Sequence, residues 1–205
     1  MIYPGNNKLI RWFFNGYIRW TSGRNFYQVN YNQINIIPNK AILLLPNHYS
    51  WLDGFIYYHI NRLLFKKKFH VMILEETIMQ QRFMRHLGAF SISKNSRDMI
   101  QSLNYAAQLL HDPANLVLIF PQGKLYSNFI QQPVAESGLV RIIEQAGNNF
   151  QFVLAAGFTE CLNHKKPAIN INLKQIDDIG GNVNISDAWQ QHYSEAMARQ
   201  TKIVL

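Results

Sequence analysis

The chain of 205 residues has little cysteine, few charged residues and no long apolar run. Because Cys161 is the single cysteine, the chain cannot form an intramolecular disulfide, and this absence is typical of a reducing compartment. We expect Cys161 to be a small buried apolar residue. Charged residues make up 16% and aromatic residues 13%, a composition that excludes a disordered chain. No run approaches the ~20 apolar residues that cross a bilayer. The length is most simply that of one domain with a complete hydrophobic core.

Acidic residues are almost missing from the first third of the chain. Between Met1 and Leu74 there is one acid, Asp53, against nine basic residues, so this segment carries the whole formal net charge of +8. A one-sided positive field favours an anionic partner, either membrane lipid or nucleic acid. The segment has no helix-turn-helix, zinc or RNA-binding signature, so we expect no nucleic-acid partner.

Residues 1–24 form a candidate interfacial segment ahead of a domain predicted over 25–205. Apolar side chains recur there at helical spacing, and tryptophans and arginines flank them: Ile10, Phe13, Phe14, Tyr17 and Ile18, with Trp12, Trp20, Arg11 and Arg19. This pattern favours an amphipathic helix that lies in the plane of an anionic membrane. The alternative is an N-terminal helix packed on the core.

Apolar runs alternate with helical patterns along residues 25–205. The runs Ala41–Leu45 and Leu116–Phe120 are typical of buried strands, and the patterns Leu52–Leu64 and Thr77–Leu87 each predict one helix. This alternation predicts a single α/β domain with a mostly parallel central sheet flanked by helices. In such sheets, sites lie beyond the carboxyl ends of the strands.

A histidine and an aspartate follow the first of these strands at a spacing of five residues. His48 comes directly after Pro46-Asn47, and Asp53 falls in the first turn of the next predicted helix. A neutral imidazole accepts a proton from a hydroxyl, and a carboxylate on its other nitrogen fixes the tautomer and stabilises the imidazolium. Because no Gly-x-Ser-x-Gly elbow supplies a nucleophile, the pair indicates direct transfer to a bound alcohol.

Four blocks of the sequence, between about Ala41 and Gly157, resemble those of the glycerolipid acyltransferases, whose familiar member is 1-acyl-glycerol-3-phosphate acyltransferase. They are Asn47-His48 with Asp53; Gly88-Ala89-Phe90-Ser91-Ile92-Ser93-Lys94; Phe120-Pro121-Gln122-Gly123-Lys124-Leu125-Tyr126-Ser127; and, loosely, Val153-Leu154-Ala155-Ala156-Gly157, which lacks the family's proline. Residues 120–127 are called the third block below. The first and third blocks together are the specific part of the resemblance.

The resemblance implies a role for each of these residues. His48 is the general base and Asp53 orients it, while the acceptor is bound by Gln122, Gly123, Lys124 and Lys94, with Asn47 and Pro121 as supporting residues. The donor is an acyl-CoA or acyl-carrier-protein thioester, which is a substrate, and no cofactor is permanently bound. The acceptor is the hydroxyl of a lysophospholipid or a related lipid alcohol. The implied location is peripheral, on the cytoplasmic face of a bacterial inner membrane.

The third block departs from the family pattern Phe-Pro-Glu-Gly-Thr-Arg-Ser at three positions. Gln122 replaces the glutamate, Lys124 the threonine and Leu125 the arginine. Glutamine keeps hydrogen-bonding capacity without the charge, and lysine meets a phosphate without the bidentate fork of arginine. We therefore expect a less usual acceptor alcohol than lysophosphatidate.

Two other functions stay open at this point. One is a membrane-docked lipid-binding protein of the same fold without activity, and the other is a thioesterase or lipid hydrolase that activates water with the same pair. The remaining histidines lack close ligand spacing with cysteine or acids, so the sequence predicts no metal site.

Overall fold

The computed structural model describes residues 1–93, 96–147, 149–176 and 184–204. The helices there are α1 Lys8–Asn25, α2 Asp53–Ile60, α3 Glu75–Gln80, α4 Ser96–Leu109, α5 Gly138–Ala146 and α6 Ile185–Gln200. The strands are β1 Gln28–Tyr31, β2 Ala41–Pro46, β3 Lys68–Leu74, β4 Ala89–Ile92, β5 Asn115–Leu118, β6 Phe150–Glu160 and β7 Ala168–Ile176. A π-helical turn covers Asn61–Phe65, and a 3₁₀-helix covers Arg82–Leu87.

The strands form one seven-stranded sheet in the order β1-β7-β6-β2-β5-β3-β4. Strands β6, β2, β5, β3 and β4 are parallel, β7 is antiparallel to β6, and β1 is parallel to β7. The prediction of an α/β domain with a mostly parallel central sheet is confirmed. Because β2 lies between β5 and β6, all six of its residues are buried, as a near-continuous apolar run requires.

Helices cover both faces of the sheet, and the residues of β2 contribute to both layers. Ile42 and Leu44 belong to the cluster that includes buried residues of α1, α2 and α3. Leu43 and Leu45 belong to the cluster formed with α4, α5 and α6. In the second layer, Trp189 of α6 donates its indole N–H to the Leu45 carbonyl at 3.1 Å. Both layers therefore fix the end of β2, directly before His48.

Two helices predicted as continuous are interrupted, so those predictions were wrong in detail. The pattern Leu52–Leu64 divides into α2 and the π-helical turn, because Asn61 forms two hydrogen bonds with the Lys67 backbone, at 2.7 and 3.3 Å. Side-chain bonds of this kind compete with helical pairing, and Lys66 between them has φ +54. The pattern Thr77–Leu87 divides at Gln81, whose φ of −120 and ψ of 64 are not helical.

The hairpin of β6 and β7 is the longest strand pairing in the described part of the sheet. The two strands pair antiparallel from Phe152 opposite Ile176 to Glu160 opposite Ala168. Cys161 comes directly after this pairing ends and is exposed. The expectation of a buried cysteine was therefore wrong, because Cys161 lies in the connection and not in the strand.

Helix α1 packs on the domain through part of its circumference and leaves aromatic side chains exposed. The Phe14 ring stacks on Phe83 at 4.0 Å between centroids, and Ile18 is buried. Five large apolar residues of α1 are exposed, and we call them the α1 aromatic surface: Leu9, Trp12, Phe13, Tyr17 and Trp20. Core packing and an exposed aromatic surface thus occur on the same helix. Within the described ranges, no helix combines the length and the hydropathy that a bilayer crossing demands.

Candidate active site

His48 and the third block meet at the carboxyl edge of the sheet. Strands β2 and β5 are adjacent and parallel, with Leu44 opposite Leu118. Their pairing continues one residue further, since the Ile119 N–H donates to the Leu44 carbonyl at 3.0 Å. The chain leaving β2 therefore lies beside the chain leaving β5, although the two segments are more than seventy residues apart.

The imidazole of His48 is hydrogen-bonded to the carboxylate of Asp53. Nδ1 of His48 lies 2.9 Å from Oδ2 of Asp53, and that oxygen also accepts the backbone N–H groups of Tyr49 at 2.8 Å and Ser50 at 2.9 Å. Asp53 is 1% exposed, whereas His48 keeps 19% of its side-chain surface exposed. A carboxylate at Nδ1 requires the ring proton there, so the lone pair is on Nε2.

Three residues of the third block contact His48 from the neighbouring strand end. Oε1 of Gln122 accepts the His48 N–H at 2.5 Å, and the Tyr126 N–H donates to the His48 carbonyl at 3.0 Å. The Phe120 ring stacks on the imidazole with centroids 3.8 Å apart and planes 18° from parallel. Backbone and ring of His48 are therefore both fixed by this block.

Asn47 continues the pairing of β2 with β6 through its side chain. Its Nδ2 donates to the Gly157 carbonyl at 2.9 Å, and its Oδ1 accepts the Gly157 N–H at 2.7 Å. Asn47 is 4% exposed, so both hydrogen bonds are buried. The supporting position predicted for Asn47 thus corresponds to a contact that holds the residue directly before His48.

The turn after Pro121 needs glycine for a backbone reason. Gly123 has φ +66, and a Cβ there would lie 3.1 Å from Cγ of Glu136. The Pro121 carbonyl accepts the Glu136 N–H at 2.8 Å, which fixes the turn against the segment before α5. Lys124, the next residue, is exposed, and its Nζ lies 5.3 Å from the centroid of the Tyr126 ring.

The remaining predicted acceptor residue, Lys94, lies outside the described residues. Of the predicted set, the structure therefore brings Asp53 and Gln122 each into direct contact with His48 and places Gly123 and Lys124 in the turn that follows. Gln122 itself is 1% exposed.

Two tyrosines lie near the pair, Tyr57 buried and Tyr49 half-buried. The Tyr49 hydroxyl accepts a hydrogen bond from Oγ1 of Thr159 at 3.1 Å. Burial, and secondly the Asp53 carboxylate, raise the pKa of Tyr49 well above its ordinary value. Burial also raises the pKa of Tyr57, with Tyr49 and then Asp53 adding to it. Both phenols therefore stay neutral near pH 7.

A match to a protein-family model identifies the family of this chain. The model described as Acyltransferase matches residues 28–174, from the first residue of β1 into β7, and so includes His48, Asp53 and the third block. The chain belongs to the acyltransferase family. The resemblance to 1-acylglycerol-3-phosphate acyltransferase-like enzymes is thereby confirmed, and the protein is an acyltransferase. A search among curated proteins returned no match to the chain.

In this acyltransferase the described residues include an imidazole that can accept a proton, and they form no metal cluster. Nε2 of His48 can accept a proton from a hydroxyl, while Nδ1 stays bonded to Asp53. Nowhere in the described ranges do three or more His, Cys, Asp or Glu side chains assemble in a way that would hold a metal ion.

Some contacts of the acyltransferase site carried no recognisable signal in the sequence. Phe120 was part of the third block, but its stacking on His48 was not predicted. The contacts of Asn47 with Gly157 and of Tyr49 with Thr159 join residues 110 positions apart. They depend on β2 and β6 being neighbours, which the order of elements along the chain does not reveal.

Proposed function

We propose that this acyltransferase moves a fatty acyl group from an acyl-CoA or acyl-carrier-protein thioester to the hydroxyl of a lysophospholipid or a related lipid alcohol. The observation that carries the proposal is the 2.9 Å contact of His48 Nδ1 with buried Asp53, which leaves the Nε2 lone pair to act as base. A base without a protein nucleophile suits direct attack by a bound alcohol.

The reaction is a single transfer at His48. Nε2 removes the proton from the acceptor hydroxyl as its oxygen attacks the thioester carbonyl, and Asp53 stabilises the imidazolium that forms. The tetrahedral intermediate then collapses, breaks the carbon–sulfur bond and expels the thiolate. The thiolate takes the proton from Nε2, so the products are an ester and a free thiol.

The acceptor headgroup binds at the exposed part of the third block. Lys124 places a cation on the turn after Gly123, close to Tyr126, whose N–H contacts the His48 carbonyl. Leu125 is exposed where the family has an arginine. A single lysine beside an apolar residue favours an acceptor whose headgroup carries less negative charge than that of lysophosphatidate. Lys94 is proposed as a second cation for the same headgroup.

The protein works on the surface of an anionic membrane, which we assign to the cytoplasmic face of a bacterial inner membrane. Ring contacts join α1 to the loop that carries His48: Phe14 with Phe83 at 4.0 Å, Phe83 with Phe55 at 6.4 Å, and Phe55 with Trp51 at 5.7 Å. Trp51 is 65% exposed and lies between His48 and Asp53 in sequence. The α1 aromatic surface and Trp51 therefore meet the lipid together, and the basic residues of α1 add attraction to anionic headgroups.

The test is thiol release from acyl-CoA and from acyl-carrier-protein thioesters, with and without a panel of lipid alcohols, for wild type, His48→Ala and the exposed control His111→Ala. Acceptor-dependent release that only His48→Ala abolishes is the expected result. Release at the same rate without an acceptor would instead identify a thioesterase. Vesicle binding without release, equal in all three proteins, would identify a lipid-binding protein.

A further inference from the structure

We propose that Gln122 is a positioning residue for His48 and does not contact the acceptor. This inference rests on the proposed function, in which His48 is the base. Its Oε1 accepts the His48 N–H at 2.5 Å, so the side chain reaches across from the β5 end to the backbone of the residue that performs the chemistry.

Burial separates Gln122 from the three residues that follow it in the third block. Gln122 is 1% exposed, whereas Gly123, Lys124 and Leu125 are all exposed. A headgroup that arrives from solvent meets these three residues first. A headgroup would reach the Gln122 side chain only by displacing the residues that bury it.

The third block holds His48 from several directions, and Gln122 is the only side chain in it that bonds to the His48 backbone in the described residues. Tyr126 reaches the His48 carbonyl through its own backbone N–H, and Phe120 contributes the face of its ring. With Asp53 on Nδ1, the backbone N–H, the carbonyl, the ring face and one ring nitrogen are all engaged. Nε2 is the atom left for substrate.

The exchange of glutamate for glutamine has a simple meaning in this geometry. A backbone N–H needs an acceptor oxygen, which an amide supplies as well as a carboxylate does. Gln122 therefore makes the positioning contact with a neutral amide. The substitution Gln122→Glu keeps the oxygen and removes the amide donors, so it separates positioning from substrate contact.

The chain offers a matched control in Gln151 at the opposite end of the strands. Gln151 is 2% exposed, and its Oε1 accepts the Ile37 N–H at 3.0 Å. It lies on β6 opposite Ile42, near the start of β2, whereas His48 follows the end of β2. Gln151→Met removes the same kind of contact and keeps the site.

The experiment measures kcat and the acceptor KM for Gln122→Met, Gln122→Glu and Gln151→Met. We expect Gln122→Met to lower kcat roughly 10- to 100-fold with KM within about twofold, because a displaced base costs rate and not binding. Gln122→Glu should keep both values within about fivefold, and Gln151→Met should keep kcat. An acceptor KM raised about tenfold or more by Gln122→Glu, or an unchanged kcat in Gln122→Met, overturns the proposal.

A second measurement needs no substrate and uses the free protein. Hydrogen exchange of the His48 amide, observed by NMR, should become at least ~10-fold faster in Gln122→Met than in Gln151→Met at matched global stability, and should stay slow in Gln122→Glu. Equal exchange in all proteins overturns the positioning role. If His48→Ala keeps transferase activity while Gln122→Met still speeds this exchange, the proposed base is wrong and the contact stands.

Discussion

Oδ2 of Asp53 lies 2.9 Å from Nδ1 of His48 and accepts the N–H groups of Tyr49 and Ser50 at the same oxygen. One atom therefore orients the imidazole and also closes the loop that leads into α2. Under the proposed mechanism a substitution of Asp53 affects both kcat and local structure. Its effect therefore needs a control variant that removes an acid from the start of another helix.

Asp53→Asn should lower kcat by roughly 10²–10⁴-fold, because a neutral amide neither fixes the Nδ1–H tautomer nor stabilises the imidazolium. Asp187→Asn is the control, since Asp187 is an exposed acid in the first turn of α6. Asp187→Asn should lower the free energy of unfolding by at most ~1 kcal/mol, because the helix dipole loses a favourable charge, and it should keep kcat. The measurement is kcat beside the free energy of unfolding. A loss in kcat of less than about threefold for Asp53→Asn would make Asp53 structural.

Asn47→Ala should destabilise the protein by about 1–3 kcal/mol, because it removes two buried hydrogen bonds to Gly157. It should also lower kcat roughly tenfold, since His48 is the next residue and loses its fixed position. Asn32→Ala is the matched control: Asn32 makes the same pair of bonds to the Leu173 backbone, at 2.9 and 2.7 Å, but is itself exposed. Urea unfolding and kcat of both variants distinguish the two effects. A normal kcat in a clearly destabilised Asn47→Ala would contradict the link to His48.

His70→Gln should make the free energy of unfolding depend less on pH between about pH 6.5 and pH 4. Burial, with Lys68 as the second cause, lowers the pKa of His70 to about 4, against about 6.5 in the unfolded chain. Between about pH 4 and pH 6.5, His70 is protonated in the unfolded chain and neutral in the folded protein. The contribution of His70 to the free energy of unfolding is therefore complete above about pH 6.5 and is lost as pH falls toward about 4. The loss is at most roughly 3 kcal/mol.

The measurement for His70 is the free energy of unfolding of wild type and His70→Gln between pH 7 and pH 4. Glutamine can donate to Oδ1 of Asn115 as Nε2 of His70 does, without titrating. A shallower slope should remain because burial also lowers the pKa of His192. The exposed control His111→Gln should follow wild type. Identical slopes for wild type and His70→Gln would contradict the prediction.

Replacing both Trp12 and Trp20 with serine should weaken binding to vesicles of anionic phospholipid by roughly tenfold or more, because the α1 aromatic surface loses its largest rings. The control is Val140→Ser, an exposed apolar residue on α5 in the opposite layer. Sedimentation with vesicles at low and high salt separates the contribution of the aromatic rings from that of the basic residues, because added salt should weaken only the binding due to basic residues. Wild-type binding by the double variant would remove α1 from the membrane contact.

The sequence predicted the sheet and the meeting of two strand ends because the runs Ala41–Leu45 and Leu116–Phe120 are short, apolar and separated by helical patterns. Ala41–Leu45 has five apolar residues, a length typical of a strand and too short for most helices, and the structure buries all of them. The same periodicity could not show that α2 stops at Ile60, since that depends on hydrogen bonds between Asn61 and a residue six positions later. Local side-chain bonds of this kind override helix propensity.

The candidate site was predicted as a set of residues and not as a geometry. Spacing placed Asp53 within reach of His48, and the contact exists. Nothing in the third block indicated that Gln122 points inward to a backbone N–H while Lys124 stays exposed. That difference follows from the register of β2 and β5, which pairs residues more than seventy positions apart.

Strand β2 is synthesised before both of its neighbours in the sheet. A ribosome that has added Leu110 has made His48 and Asp53, but neither β5 nor β6, which flank β2 in the finished protein. Pairings over such distances lose chain entropy before they gain contacts, so they form late. The nascent chain therefore contains its histidine and aspartate long before Phe120 and Gln122 exist, and the contacts that these two residues make with His48 form only when the rest of the sheet assembles around β2.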